Sequence, residues 1–283
     1  MSLSKSAILV ELNISSWSGR KLDKKVSAET NVNKGANKDA ARVNKNLFAG
    51  SDKLEKINNF VSSTRAEYYH MTLPWSTSGA RLLPFKEFFT FTEWANTKDT
   101  EYGIMVDTFL EEYSSLISTQ AFRLGTMFNA SEYPPASELR NKFKFAKVML
   151  PVPEAGDFRV DAEGEMKKEL EAQYAKAYEE RTKTAMDDLW DRLYETVSHL
   201  RDKCALEKTI FRESTMDNAV ELCALLTRLN ITNDPLLEAR RQELEKALCG
   251  IDVFDLRTDE SARIDTKERM NAILSKMKGV GLC

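Results

Sequence analysis

Histidine and cysteine are scarce in this chain, and the scarcity removes whole classes of chemistry. Among 283 residues there are two histidines, His70 and His199, and four cysteines, Cys204, Cys223, Cys249 and Cys283. Neither histidine has a His or Cys neighbour at ligand spacing and no CxxC pair occurs, so a four-ligand zinc centre has no signal. Cysteines this far apart in a long chain read as reduced thiols. No GxxxxGK[ST] loop is present, and Gly279-Val280-Gly281 reads as a frayed tail, which removes Walker-type nucleotide binding. There is no GxSxG elbow, and two histidines offer no Ser- or Cys-centred triad. Carboxylates are plentiful, but none stands out as a general acid–base pair against the helical surfaces that also need them. The expectation is a protein that is not an enzyme and holds no cofactor.

Long apolar runs are also missing. No stretch approaches the roughly eighteen residues of a membrane span. The start, MSLSKSAILVELN, has an apolar run of four residues and no cleavage site, so a cytoplasmic location is expected. A net charge of −3 gives no bulk attraction to nucleic acid or to an anionic membrane. The charge is uneven: residues 1–63 carry eleven Lys/Arg against six Asp/Glu, and 84–135 carry three against eight. Ends of opposite sign favour head-to-tail self-association, although solvated helix faces give the same pattern.

What the chain has is helix. Its 42% hydrophobic content supports a core, and 30% charged residues suit a helical protein. Residues 161–206 contain no proline and one early glycine, Gly164. As one helix they would span roughly 65 Å, against roughly 50 Å for a compact globule of this length. The apolar stripe is thin from Glu165 to Lys183 and dense from Met186 to Cys204, where Trp190 and Tyr194 widen it. The second half therefore belongs in a core and the first half in solvent or on a partner. Asp161 is the expected N-cap, with Glu163 and Glu165 suiting the positive end of the helix dipole. Glu154, Asp157, Asp161, Glu163 and Glu165 form an acidic cluster without the loop spacing of a calcium site, so no metal is expected there.

Elsewhere, Ala7 to Trp17 reads as a strand, with Ile8, Val10, Leu12 and Ile14 on one face, broken by Ser18-Gly19. A short helix is expected over Arg20 to Glu29, and a loop then leads into a helix from about Asn37. A helix capped by Ser51 carries Leu54, Ile57, Phe60, Val61, Tyr68 and Met71 and ends at Pro74. TLPWSTSGARLLP, residues 72–84, reads as a turn-rich insertion, and such loops are enriched in function. Phe85 to Trp94 is helical or partly extended, Lys98 to Leu124 is helix, and a short helix after Pro134-Pro135 precedes a strand over Lys144 to Leu150. Further helices start at Ser214 or Thr215, at Asp234-Pro235 (ending at Gly250) and at Asp259. The expected fold is mainly α with a small β element, an α+β helical bundle. One very long helix at about 161–206 stands beside a two- or three-stranded ribbon from 7–17 and 144–150. The expected organisation is a mixed region 1–160 and a helical region 161–283 packed on it as one unit.

Two stretches suggest binding. Arg140, Lys142, Phe143, Lys144, Phe145 and Lys147 interleave cations with rings, as single-strand nucleic-acid platforms do, although a strand with buried phenyls and solvated lysines explains them equally. Trp75 and Arg81 are residue types enriched at interface hot spots, with packing of Trp75 over a helix end as the competing reading.

Taken together, AILVELNISSWSGRKLDKKVSAE, the TLPWSTSGARLLP loop, LPVPEAGDFRVD and LTRLNITNDPLLEARRQELE resemble a phage-associated helical family known as a domain of unknown function (number three-one-five-zero). The resemblance spans nearly the whole chain. It implies a tailed-phage or prophage origin, an infected or lysogenic bacterial host, and a gene neighbourhood with MoxR-type AAA+ ATPases and von Willebrand-type metal-adhesion proteins. The function it implies is an accessory or adaptor one with an AAA+ partner; a homo-oligomer is expected separately, from a helix longer than its own domain. The family supplies no catalytic residues.

Overall fold

A computed structural model describes residues 3–77, 79–153, 165–206 and 211–277. The Asp161 cap, the acidic residues 154–163, the 279–281 tail and Cys283 lie outside the described residues.

The fold is α+β: mostly helical, with a four-stranded antiparallel sheet and a two-stranded ribbon. Strand β1 (Ala7–Ser15) is followed by β2 (Arg20–Leu22), helix α1 (Lys24–Asn33), β3 (Asn44–Asn46) and helix α2 (Lys53–Met71). Strands β4 (Leu73–Pro74) and β5 (Arg81–Pro84) lead into helix α3 (Phe88–Leu124), the short helix α4 (Ala136–Arg140) and strand β6 (Lys144–Pro151). Helices α5 (Glu165–Ala205), α6 (Glu213–Leu229), α7 (Pro235–Leu248), α8 (Val253–Thr258) and α9 (Glu260–Met277) complete the described chain. The sheet order is β4-β5-β1-β6, and β2 pairs with β3. In β1, Leu9 and Val10 are both buried, so its first half is covered on both faces rather than alternating.

Several expectations are corrected. Residues 72–84 are not an insertion but a hairpin, with Leu73 opposite Leu82 and β5 continuing onto β1 with Ala7 opposite Pro84. The turn signals were read correctly, but two short strands fit around them. Residues 20–22 are strand and helix begins only at Lys24, because the Asp23 carboxylate accepts from Lys25 N and Val26 N and so sets the start. No helix starts near Asn37; that stretch supplies β3, which pairs with β2. The helix over 98–124 is present as expected and extends back to Phe88, 37 residues in all, so 88–94 is helical rather than extended.

Two compact units divide the chain. The first comprises Met1–Glu11, Tyr69–Phe91 and Val148–Cys283, and the second Leu12–Tyr68 and Thr92–Lys147. Both are discontinuous in sequence, a different partition from 1–160 and 161–283.

In the first unit, α5 is unbroken at Ala177 and is about 60 Å long at the standard rise. Its second half supplies Leu189, Trp190, Leu193, Val197 and Leu200 to a core shared with Leu222, Leu226, Leu244, Met270 and Ile273. From Met166 to Thr184 no residue is buried. In α7, the Asp234 carboxylate caps Leu236 N and Leu237 N, Pro235 takes the first position, and Trp190 Nε1 donates to Asp234 Oδ2 at 3.2 Å. The second unit is built around Phe48, whose ring meets Trp17, Phe109, Tyr113 and Tyr133 at centroid distances of 5.6–5.9 Å.

Candidate functional site

The β4–β5 hairpin and helix α5 bring together the residues singled out from the sequence and several that were not. Helix α2 ends at Met71, leaving its last carbonyls without intrahelical donors and at the negative end of the helix dipole. Two arginines supply the donors. Arg81, the first residue of β5, donates from Nε to Thr72 Oγ1 at 2.7 Å and from Nη2 to Thr72 O at 3.0 Å and Tyr69 O at 3.3 Å. Its guanidinium also lies 4.9 Å from the Tyr69 ring centroid. Arg192 on α5 donates to His70 O at 2.7 Å and to Tyr69 O and Thr72 O at 2.9 Å each. One turn earlier, Asp188 Oδ2 lies 2.8 Å from Arg192 Nη2.

Burial sets the titration of this cluster. It pushes the Asp188 carboxyl above the usual carboxylate value even though Arg192 and Arg81 pull it down. It holds His70 below the ordinary imidazole value, aided by Arg192 and Arg228 and opposed by Glu221. It also lowers Arg192, against the raising effect of Asp188.

Trp75 is not an exposed anchor. It is 4% exposed, edge-to-face with Tyr178 at 5.6 Å, and the Arg181 guanidinium stands 5.8 Å from its ring centroid. Tyr174 stacks obliquely on Tyr178 at 6.1 Å and donates its hydroxyl to Pro153 O. Arg81 is likewise committed, to the end of α2. A groove of about 500 Å³ runs between the hairpin and α5, lined by Trp75, Ser76, Thr77, Glu180, Arg181 and Thr184. Its α5 wall belongs to the half of the helix that buries nothing.

The stretch from Arg140 to Lys147 does not present stacked rings to solvent. Phe143 is 8% exposed and meets Phe109 at 6.0 Å, and Phe145 meets Tyr102 at the same distance. Arg140, Lys142 and Lys144 are exposed, with Arg140 paired to Asp107, while half-buried Lys147 donates to Asn96. A base-stacking platform needs the rings, and the core of the second unit has them.

No nucleophile is prepared among the thiols inside the fold. Burial pushes Cys204 and Cys223 up to about 11, and a thiol so raised carries little thiolate. His199 lines a separate cavity of about 410 Å³ with Glu195, Thr196, Thr215 and Asn218, where the Thr215 hydroxyl accepts from Lys203. Among the described residues no group of three His, Cys, Asp or Glu is placed to hold a metal ion, and no helix is long and apolar enough to cross a membrane.

Sequence reasoning missed Arg192 and Asp188. Their signal was present: charged residues at i,i+4 flank the buried Leu189 and Leu193, on the side of α5 facing the core. It also missed Lys45, buried in the second unit, where Nζ lies 2.6 Å from Glu132, 3.6 Å from Asp23 and 2.8 Å from Met127 O. Nothing in NVNKGANKDAARVNKNL marks that lysine from its neighbours.

Comparison of the chain with family models, with curated proteins and with solved structures finds no match.

Proposed function

We propose that this chain is a non-enzymatic, phage-encoded structural or interaction protein that self-associates or acts as an adaptor to a MoxR-type AAA+ ATPase. The first half of α5 is the element it offers. One observation carries the reading: the helix is continuous through Ala177, yet from Met166 to Thr184 it buries no residue, while its second half fills a core. A helix of about 20 residues with a solvated surface is marginal by itself, so a protein that keeps one extended gains from something that contacts it. The partner-facing side is polar, with Lys168, Glu169, Lys176, Glu179 and Lys183, because the side carrying Tyr174 and Tyr178 is turned to Pro153 and Trp75. Such a surface gives specificity and fast association more than hydrophobic affinity.

The test is a double charge reversal, Lys168→Glu with Lys176→Glu, at two exposed positions. The variant keeps its circular dichroism and thermal midpoint. It loses co-purification with a MoxR-type ATPase expressed beside it, or loses concentration-dependent mass by light scattering. Wild-type protein that neither binds the ATPase nor associates overturns the reading, as does association that the reversal leaves unchanged. With Phe143 buried and Phe145 half-buried against Tyr102, the single-stranded nucleic-acid alternative has no exposed ring pair to support it.

A further inference from the structure

β6 is the last strand of the sheet order, so among the described residues one of its backbone edges has no strand beside it. None of its eight residues is buried. Phe145, Lys147 and Met149 are half-buried on one face, while Lys144, Ala146, Val148 and Leu150 are exposed on the other, Val148 by 43% and Leu150 by 40%. Proteins usually blunt such an edge with charge, proline or brevity. Here the protection is thin: Lys147 is turned to Asn96 on the other face, Pro151 is the terminal residue, and Lys144 alone guards the exposed face.

We propose that β6 pairs antiparallel with β6 of a second copy of this chain, about a two-fold axis at Val148, extending the sheet into a dimer. The register follows from the pleat. Residues directly opposite in an antiparallel pair share a face, so a two-fold axis normal to the sheet must pass through a residue and not between two. Two centres leave the strand mostly paired. An axis at Lys147 sets lysine against lysine, which is destabilising. An axis at Val148 sets Val148 on Val148, Ala146 on Leu150 and Lys147 on Met149, with Phe145 opposite Pro151. The exposed triplets Ala146-Val148-Leu150 then join into one apolar strip across the axis, and neither lysine meets a lysine. The interface is isologous, as a two-fold dimer requires. It uses a different element from the α5 surface, and the β6 substitutions leave Lys168 and Lys176 in place, so the two proposals fail separately.

The experiment is site-directed cross-linking in a Cys249→Ser, Cys283→Ser background with a bis-maleimide spanning about 8 Å. Opposite residues lie about 5 Å apart at Cβ, whereas Ala146 and its own copy would be offset by four residues, about 13 Å. Val148→Cys cross-links to a covalent dimer. Ala146→Cys and Leu150→Cys each fail alone and link when mixed. In sedimentation at rising concentration the wild type shifts from monomer towards twice the mass, and Val148→Lys stays monomeric. Should Val148→Lys fail to fold, the cysteine pairs decide. A wild type that is monomeric throughout overturns the proposal, as does cross-linking of Ala146→Cys to itself or a dimer that Val148→Lys does not disturb.

Discussion

Arg192 joins the end of α2 to Asp188, and the cost of removing it depends on pH in a calculable way. In Arg192→Met the carbonyls of Tyr69 and Thr72 keep Arg81 as a donor, so only His70 O loses its partner outright. A charge-assisted hydrogen bond contributes about 1.5–3 kcal/mol, and less where water can replace it. The larger loss is at Asp188, whose side chain is 30% exposed and whose nearest countercharge is gone. Leaving one member of a buried pair alone costs about 3–5 kcal/mol. A carboxyl has an escape, however: it can take up a proton. From its ordinary value of 3.8, protonation costs at most about 4 kcal/mol at pH 7 and about 1.6 kcal/mol at pH 5. Arg81 still offsets part of this.

The expected destabilisation is thus about 2–4 kcal/mol at pH 7, falling by about half at pH 5. The sign follows from linkage. The variant raises the folded-state value of Asp188 further above its unfolded one, so the folded state binds the extra proton and gains stability as pH falls. Urea unfolding followed by tryptophan fluorescence measures it. Trp17→Phe and Trp94→Phe leave Trp75 and Trp190 as reporters, both in the first unit. A loss under about 1 kcal/mol at pH 7, or an equal loss at the two pH values, refutes the assignment of Arg192 as the counterion that keeps Asp188 ionised. The double variant Arg192→Met, Asp188→Leu supplies the remaining arm: it recovers most of the loss if the unpaired carboxylate is its source.

Trp75→Ala removes a buried indole from Tyr178 and Arg181 and is expected to cost about 3–5 kcal/mol in the same assay; a near-neutral result would mean the ring is a surface anchor after all. Gly19→Ala strains the second unit twice, since φ is +62° and the new Cβ would stand 2.4 Å from Leu54 Cδ2. A loss of about 2–4 kcal/mol in chemical denaturation is expected, and the loss caused by Gly19→Ala should be smaller when measured in a Leu54→Ala background, where the close neighbour is gone. His70 is held below its ordinary 6.5, so the unfolded chain takes up its proton first and stability falls as pH drops through that value. His70→Gln should flatten the decline in thermal midpoint between about pH 7.5 and 5.5, and an unchanged slope would place the titration elsewhere.

Periodicity made α5, α6, α7 and β6 legible because each has one face in a core and one in solvent, and capping chemistry fixed the start of α7 at Asp234. The same rule gives Lys98 to Leu124 as helix but does not carry the 37-residue α3 back to Phe88, because exposed Phe89, Ile104 and Phe122 blur the stripe that Phe91, Tyr102, Val106 and Phe109 bury. Short strands escaped for the opposite reason: β2, β3 and β4 have two or three residues each, too few to show a period at all. Their signal is the partner strand, which lies some twenty residues away for β2 and β3 and is invisible to any local window.

Residue type was the weaker guide at the candidate site. Tryptophan and arginine in a turn-rich stretch point to an interface by frequency, yet the hairpin that encloses them changes what they face. Once Leu73 pairs with Leu82, Trp75 is carried onto α5 and Arg81 onto the open end of α2. Both residue types suit that role for the reason they suit hot spots, an apolar body with a fixed polar fork or edge. Solvent exposure is what separates the two uses, and exposure is decided by pairing between distant residues. Among the described residues, the first half of α5 and the outer edge of β6 carry lysine, glutamate, alanine and valine, residues that no composition rule would select. They are conspicuous only because no described element buries them.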